Sequence, residues 1–130
     1  MKGAAVGAVN SALNQWVIGC AVEVHRALGP GMLESAYEQC LAYELSAAGI
    51  GFKRQHAVPV TYKNIRLECG YRVDFLIEQE LILELKSVDR LTDLHRAQLL
   101  SYLRSSGLRS GLLLNFNATR LRDGLVRVVL

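Results

Sequence analysis

Three residues combine types and spacing that chemistry can use: Asp74, Glu84 and Lys86. In an extended strand side chains alternate faces, so Ile82, Glu84 and Lys86 share one face and Leu81, Leu83 and Leu85 the other. A carboxylate and an ammonium two residues apart therefore point the same way. If the preceding strand folds back in a hairpin centred on Gln79, residues whose numbers sum to 158 face one another, and Asp74 lies opposite Glu84. Two carboxylates so close repel, and one tends to keep its proton unless a cation joins them. A hard divalent ion such as Mg²⁺, with Mn²⁺ as its substitute, suits oxygen ligands of this kind.

The bland reading is that a Glu and a Lys at this spacing are commonplace on an exposed strand, and that opposite charges pair across hairpins. The neighbours argue against exposure. Val73-Asp74-Phe75-Leu76-Ile77 and Leu81-Ile82-Leu83-Glu84-Leu85 read as inner strands, where an unpaired charge is costly.

The elements around them follow from periodicity. Leu13, Trp16, Val17, Cys20, Val24 and Leu28 recur at three-and-four spacing and predict a helix over 11–28, ended by Gly29-Pro30-Gly31. A second helix is expected over 32–48, with Leu33, Ala36, Tyr37, Cys40, Leu41 and Leu45 inward and Gly49 as its cap. Residues 52–62 read as one or two short strands with Pro59 at an edge or bend, and Lys63-Asn64 as a turn. Residues 66–77 and 81–88 read as strands joined by Glu78-Gln79-Glu80. Helical spacing returns over 92–106, with Thr92 or Asp93 near the N-cap and Leu94, Ala97, Leu100 and Leu103 inward. Strands over 108–116 and 125–130 complete the order α-α-β-β-β-α-β-β, an α/β fold with a mixed central sheet flanked by helices.

Composition bounds the rest. The 130 residues suit one domain, 51% apolar content suffices for a core, and 21% charged residues is ordinary for a globular chain. Charge is uneven: residues 1–85 carry 7 Lys/Arg against 9 Asp/Glu, and residues 86–130 carry 8 against 3. A basic part beside an acidic centre suits a polyanion approached through a bound cation, although a solvated positive face has the same signature. Cys20, Cys40 and Cys69 form neither a disulfide framework nor a zinc motif, and reduced, mostly buried thiols in a cytoplasmic protein fit them best. The N-terminal stretch, interrupted by Asn10 and Asn14, makes a poor signal peptide, and no apolar run is long enough to span a membrane.

The spacing D-x9-E-x-K, as Asp74…Glu84-Leu85-Lys86, resembles the signature of the PD-(D/E)XK nuclease superfamily. Val73 stands where the superfamily's name has proline, as in many members. Gly31-Met32-Leu33-Glu34-Ser35-Ala36-Tyr37 reads G-x-x-E-x-x-Y and resembles the GxxExxY family, while Gln98-Leu99-Leu100-Ser101-Tyr102 is similar to the Q-x-x-x-Y motif of RecB-like members. The likeness runs from about Val17 to the Leu125–Leu130 tail. It implies a restriction-endonuclease-like core and a site in which Asp74, Glu84 and the carbonyl of Leu85 hold Mg²⁺, with Glu34 reaching it directly or through water. Lys86 then orients the attacking water or stabilises the phosphorane, and Gln98 and Tyr102, four apart on one helical face, steady the site or the substrate phosphate.

Simpler roles stand beside these. Tyr37 and Tyr102 suit core packing with a bonded hydroxyl, and Glu34 favours a helix N-terminus in any case. His25, His56 and His95 lack metal spacing and read as structural or surface groups. Arg104, Arg109, Arg120, Arg122 and Arg127 are candidates for phosphate contacts. The leading expectation is a Mg²⁺-dependent nuclease acting on DNA, with a homodimer compatible with so small a chain. The alternatives are a nucleic-acid-binding module that keeps the fold without turnover, told apart by salt-dependent binding without cleavage, and an interaction domain indifferent to both DNA and divalent ions.

Overall fold

The structure, a computed structural model, describes residues 11–130; the stretch read as a poor signal peptide lies almost wholly outside them. Helix α1 (Ser11–Leu28) and helix α2 (Glu34–Ala47) precede strands β1 (Phe52–Ala57), β2 (Val60–Tyr62), β3 (Ile65–Leu67), β4 (Arg72–Ile77) and β5 (Leu81–Lys86). Helix α3 (Asp93–Ser106), strand β6 (Ser110–Asn115), a short 3-10 turn (Leu121–Gly124) and strand β7 (Leu125–Val129) follow. Five strands form one sheet in the order β1-β4-β5-β6-β7, in which β5 and β6 run parallel and all other neighbours antiparallel. The parallel pair requires a crossover, and α3 supplies it. No helix among the described residues is long and apolar enough to cross a membrane.

The sheet is covered on both faces. One cluster joins Leu13, Val17, Tyr37, Leu41 and Leu45 of α1 and α2 to Phe75, Ile77, Leu81, Leu83, Leu85, Leu112 and Leu114. The other joins Leu99, Tyr102 and Leu103 of α3 to Val73, Ile82 and Leu113. This places Leu81, Leu83 and Leu85 on the α1/α2 face and Ile82 on the α3 face. Turn chemistry fixes the hairpins: Lys63-Asn64 and Glu78-Gln79 each place two successive residues at positive φ, the primed geometry that matches strand twist.

Five expectations need correction. The strand expected over 66–77 is two, β3 and β4, separated at Cys69-Gly70, where Gly70 takes the left-handed φ of 75° that breaks the run. In α1, Trp16 is 63% exposed and the buried arc instead runs through Leu13, Val17, Ala21 and Val24, with His25 donating from Nε2 to the Ala118 carbonyl at 2.9 Å. In α2, Leu33 is the exposed N-cap rather than a core residue. In α3, Leu94 and Ala97 face solvent while Leu99, Tyr102 and Leu103 face the sheet. Gly111 of β6 accounts for that rotation, because the space its missing side chain leaves is filled by Leu99. The thiols, expected to be mostly buried, are not: Cys69 is exposed and Cys20 and Cys40 are half-buried.

Candidate active site

The β4–β5 ladder keeps the register centred on Gln79, pairing Ile77 with Leu81, Leu76 with Ile82 and Phe75 with Leu83. One step further, side chains replace backbone partners. The Asp74 amide donates to Glu84 Oε2 at 2.6 Å, and the Leu85 amide donates to Asp74 Oδ2 at 2.7 Å. The two strands part here, and each acid fills the hydrogen-bonding gap of the other's strand. Since the N–H and C=O of a strand residue point to the same edge, the Leu85 carbonyl faces this opening too.

The cause lies on the other edge of β4. Its ladder with β1 pairs Arg54 with Phe75 and His56 with Val73 but skips Gln55 and Asp74. Gln55 has φ 49°, a left-handed conformation that costs a non-glycine residue roughly 1–2 kcal/mol. The kink carries through β4: Val73 packs on the α3 side, whereas Phe75 and Ile77, at even spacing from it, pack on the α1/α2 side. Strict alternation fails at Asp74. Gln55 is held in place by its surroundings, with Nε2 donating to Glu38 Oε1 at 2.9 Å and Asp74 Oδ1 at 3.2 Å, and its carbonyl accepting from Arg72 at 3.1 Å. Arg54 closes the outer side through a 2.9 Å ion pair with Glu38.

Electrostatics follow from this crowding. Burial, then the neighbouring Asp74 carboxylate, pushes Glu84 up to about 7, against the Asp74 amide and the Lys86 ammonium, which pull it down. Asp74 is also raised, chiefly by burial and further by Glu38 and Glu34, while its bonds to the Leu85 amide and Gln55 resist. Glu34 thus stands within electrostatic reach of both acids, exposed in the first turn of α2. Lys86 is half-buried and makes no ion pair among the described residues. Tyr102 is buried, and its hydroxyl is raised by burial and then by Glu84, Tyr71 and Asp74, so it stands within electrostatic reach of both acids. Gln98, one turn earlier, is exposed on α3 and has no hydrogen bond to the acids.

The surrounding loops are tied to the sheet. The Tyr37 hydroxyl donates to the Gly29 carbonyl at 2.5 Å and accepts from the Met32 amide at 3.0 Å, while its ring stacks on Phe116 at 4.4 Å. Ser87 donates to the Met32 carbonyl at 2.9 Å, linking the loop that leads into Glu34 to the residue after Lys86. Buried Asn115 donates to the Val88 carbonyl at 2.9 Å and accepts from the Val88 amide at 3.1 Å, fixing the chain that leaves β5. Tyr37 therefore positions the loop.

Glu38 and Gln55 are site residues that the linear reading passed over. Glu38 carried a usable signal, since it follows Glu34 by four and shares its helix face. Gln55 carried none. Among the described residues no three of His, Cys, Asp and Glu stand close enough together to hold a metal ion as they are arranged. Asp74 and Glu84 nevertheless form an all-oxygen pair whose mutual repulsion a hard cation relieves, with the Leu85 carbonyl on the same opening. The donor chemistry fits such an ion. A cavity of about 830 Å³ lined by Trp16, Glu23, Glu44 and Ile50 lies away from this group and contains none of it.

A family model described as the PD-(D/E)XK nuclease superfamily matches residues 11–128. No curated protein and no solved structure matches the chain.

Proposed function

The chain belongs to the PD-(D/E)XK nuclease superfamily, and from that membership we propose that it is a Mg²⁺-dependent phosphodiesterase of the GxxExxY kind that hydrolyses nucleic acid, DNA before RNA. The observation that carries the reading is the crossed bonding where β4 and β5 part, the Glu84 carboxylate taking the Asp74 amide and the Asp74 carboxylate the Leu85 amide, one residue before Lys86. Asp74, Glu84 and the Leu85 carbonyl hold the ion, and Glu34 reaches it from α2, directly or through water. When bound, the ion supplies Lewis acidity, lowering the pKa of water and offsetting charge on the scissile phosphate.

The remaining work falls to side chains. Gln55 holds Asp74 Oδ1 and thereby its carboxylate plane. Lys86, unpaired among the described residues, brings a fixed positive charge to the place where the transition state gains negative charge. Tyr102 excludes water from one side of the acids, and Gln98 contacts the substrate phosphate. Three cysteines without a disulfide suit a cytoplasmic protein, and a homodimer would widen the small surface available to a long substrate.

The test is a divalent-ion titration with a panel of single-stranded, duplex and branched DNA and RNA. Cleavage should need Mg²⁺ or Mn²⁺, cease with chelator and be lost in Lys86→Ala and Asp74→Asn. If the intact protein cuts no member of the panel with either ion, the proposal is wrong.

A further inference from the structure

In the chain between β1 and β4 stands a feature that the hydrolytic machinery does not use. Strands β2 and β3 form a separate two-stranded sheet of three residues each. Every residue of β3 is exposed, and β2 is exposed except for a half-buried Val60. A hairpin this short contributes little stability by itself. Yet it displays Tyr62 and Ile65, each 57% exposed, and Leu67, and the chain leading from it into β4 displays Tyr71, 47% exposed. Two of these four are tyrosines, whose exposed rings offer faces on which a base can stack.

Its charge is specific. Residues 52–72 hold Lys53, Arg54, Lys63, Arg66 and Arg72 against Glu68 alone, a basic stretch within the acidic first two-thirds of the chain. Arg54 is ion-paired with Glu38 and Arg66 with Glu68, which leaves Lys53, Lys63 and Arg72 without an ion pair among the described residues. Lys63 lies 5.4 Å from the Tyr62 ring centroid at the hairpin tip. The stretch is also continuous with the site. The Tyr71 ring meets the Tyr102 ring at 6.1 Å, Tyr102 shares a buried cluster with Val73, the residue before Asp74, and Tyr71 lies three residues before Asp74. A cavity of about 300 Å³ lined by His56, Pro59, Arg66, Ile82 and Ser106 opens between the hairpin and the C-terminal end of α3.

We propose that the β2–β3 hairpin and Tyr71 form a strand-binding arm on which unpaired nucleobases stack, so that the substrate is a single-stranded or splayed nucleic acid. Aromatic rings interleaved with cations are what such a strand requires: every base has a face to stack, and the backbone needs counter-charge. A closed duplex hides its base faces and gains only the charge. This rests on the proposed nuclease reading and adds the substrate class to it.

The test uses the intact protein with chelator present, so that binding is read without cleavage. Fluorescent unpaired oligonucleotides, one DNA and one RNA, are compared with a blunt duplex at fixed salt. The unpaired strand should bind more tightly than the duplex. Tyr62→Ala and Tyr71→Ala should each weaken its binding on the order of tenfold, with Phe replacements restoring it, duplex binding unchanged and melting curves showing a retained fold. Lys63→Ala should lower the salt slope by roughly 0.7. Either sugar satisfies the arm, and the tighter one names the source. Equal affinity for strand and duplex, or tyrosine variants that bind the strand as well as the parent, overturns the arm. Adding Mg²⁺ separates the two ideas: cleavage indifferent to Tyr62 and Tyr71 sinks the arm alone, whereas no cleavage of any substrate sinks the nuclease reading beneath it.

Discussion

Asp74 and Glu84 are bound to each other's strands: the amide of Asp74 donates to Glu84 Oε2 at 2.6 Å, and Asp74 Oδ2 takes the amide of Leu85 at 2.7 Å. The two acids proposed for chemistry are thus also the last stitches of the β4–β5 pair. Either substitution touches stability as well as activity, and the choice of replacement decides which is seen.

Asparagine at position 74 retains an oxygen able to accept from the Leu85 amide, so Asp74→Asn should fold like the parent while losing cleavage by roughly 10²–10³-fold or more. Asp74→Ala leaves the Leu85 amide without its acceptor in a half-buried place, which costs about 1–3 kcal/mol. Urea denaturation of the two variants side by side checks this. Equal stability would show that the carboxylate does not stitch the strands.

The raised Glu84 carboxyl links stability to pH. Its folded value of about 7 exceeds its ordinary 4.5, so the folded protein holds this proton more tightly than the unfolded chain. That stabilisation is complete below about pH 4.5 and is lost as pH rises through 7, amounting to roughly 3 kcal/mol at most. Asp74 shifts in the same direction and adds to it. The difference in unfolding free energy between parent and Glu84→Gln, in chelator, should therefore fall from pH 5 to pH 8. Stabilisation by Mg²⁺ should grow over the same range, because ion and proton compete for the same oxygens. A pH-independent difference would refute the shift.

Gln55 separates strain from function. Gln55→Gly removes the cost of its left-handed φ of 49°, while Gln55→Ala keeps that cost, and both lose the bridge between Glu38 and Asp74. Glycine should be the more stable of the two by about 1 kcal/mol. Mg²⁺ affinity should drop about 10–100-fold in both, since supporting bonds orient a ligand. Calorimetric titration with Mg²⁺ reads the second effect; unchanged affinity in both would assign Gln55 to folding alone.

How far the linear chain predicts this arrangement depends on how local each cause is. The hairpin register follows from the apolar run on either side of Glu78-Gln79 and a turn that those residues close themselves. The end of α2 at Gly49 is equally local: the Gly49 and Ile50 amides turn back to the Ser46 and Leu45 carbonyls at 3.0 and 2.9 Å. The phases of α1 and α3 are not local. Trp16 and Leu94 are apolar residues about one step off the buried arc, and only the packing partners, such as Gly111 under Leu99, decide which arc is inside. Gln55 is the extreme case, since its conformation is held by Glu38, Arg72 and Asp74, each at least seventeen residues away.

The seat of α3 can be tested at Gly111. A Cβ there would lie 2.8 Å from Leu99 Cδ1 and 3.0 Å from Cδ2 and Cγ, and Leu99 is too deeply buried to swing aside. Gly111→Ala should therefore push α3 away from β6 and cost about 1–3 kcal/mol. Leu99→Ala alone empties the recess and should cost about 2–5 kcal/mol. In the double variant the new methyl occupies part of the space that Leu99 vacates, so the combined loss should fall short of the sum by about 1 kcal/mol or more. Tyr102 lies one turn along α3 from Leu99 and packs in the same cluster as Val73, the residue before Asp74. Gly111→Ala should accordingly depress cleavage even where the protein remains fully folded, and the double variant should recover part of it. Strictly additive stabilities would mean that Leu99 does not hold the helix against β6, and the rotation of α3 would need another cause.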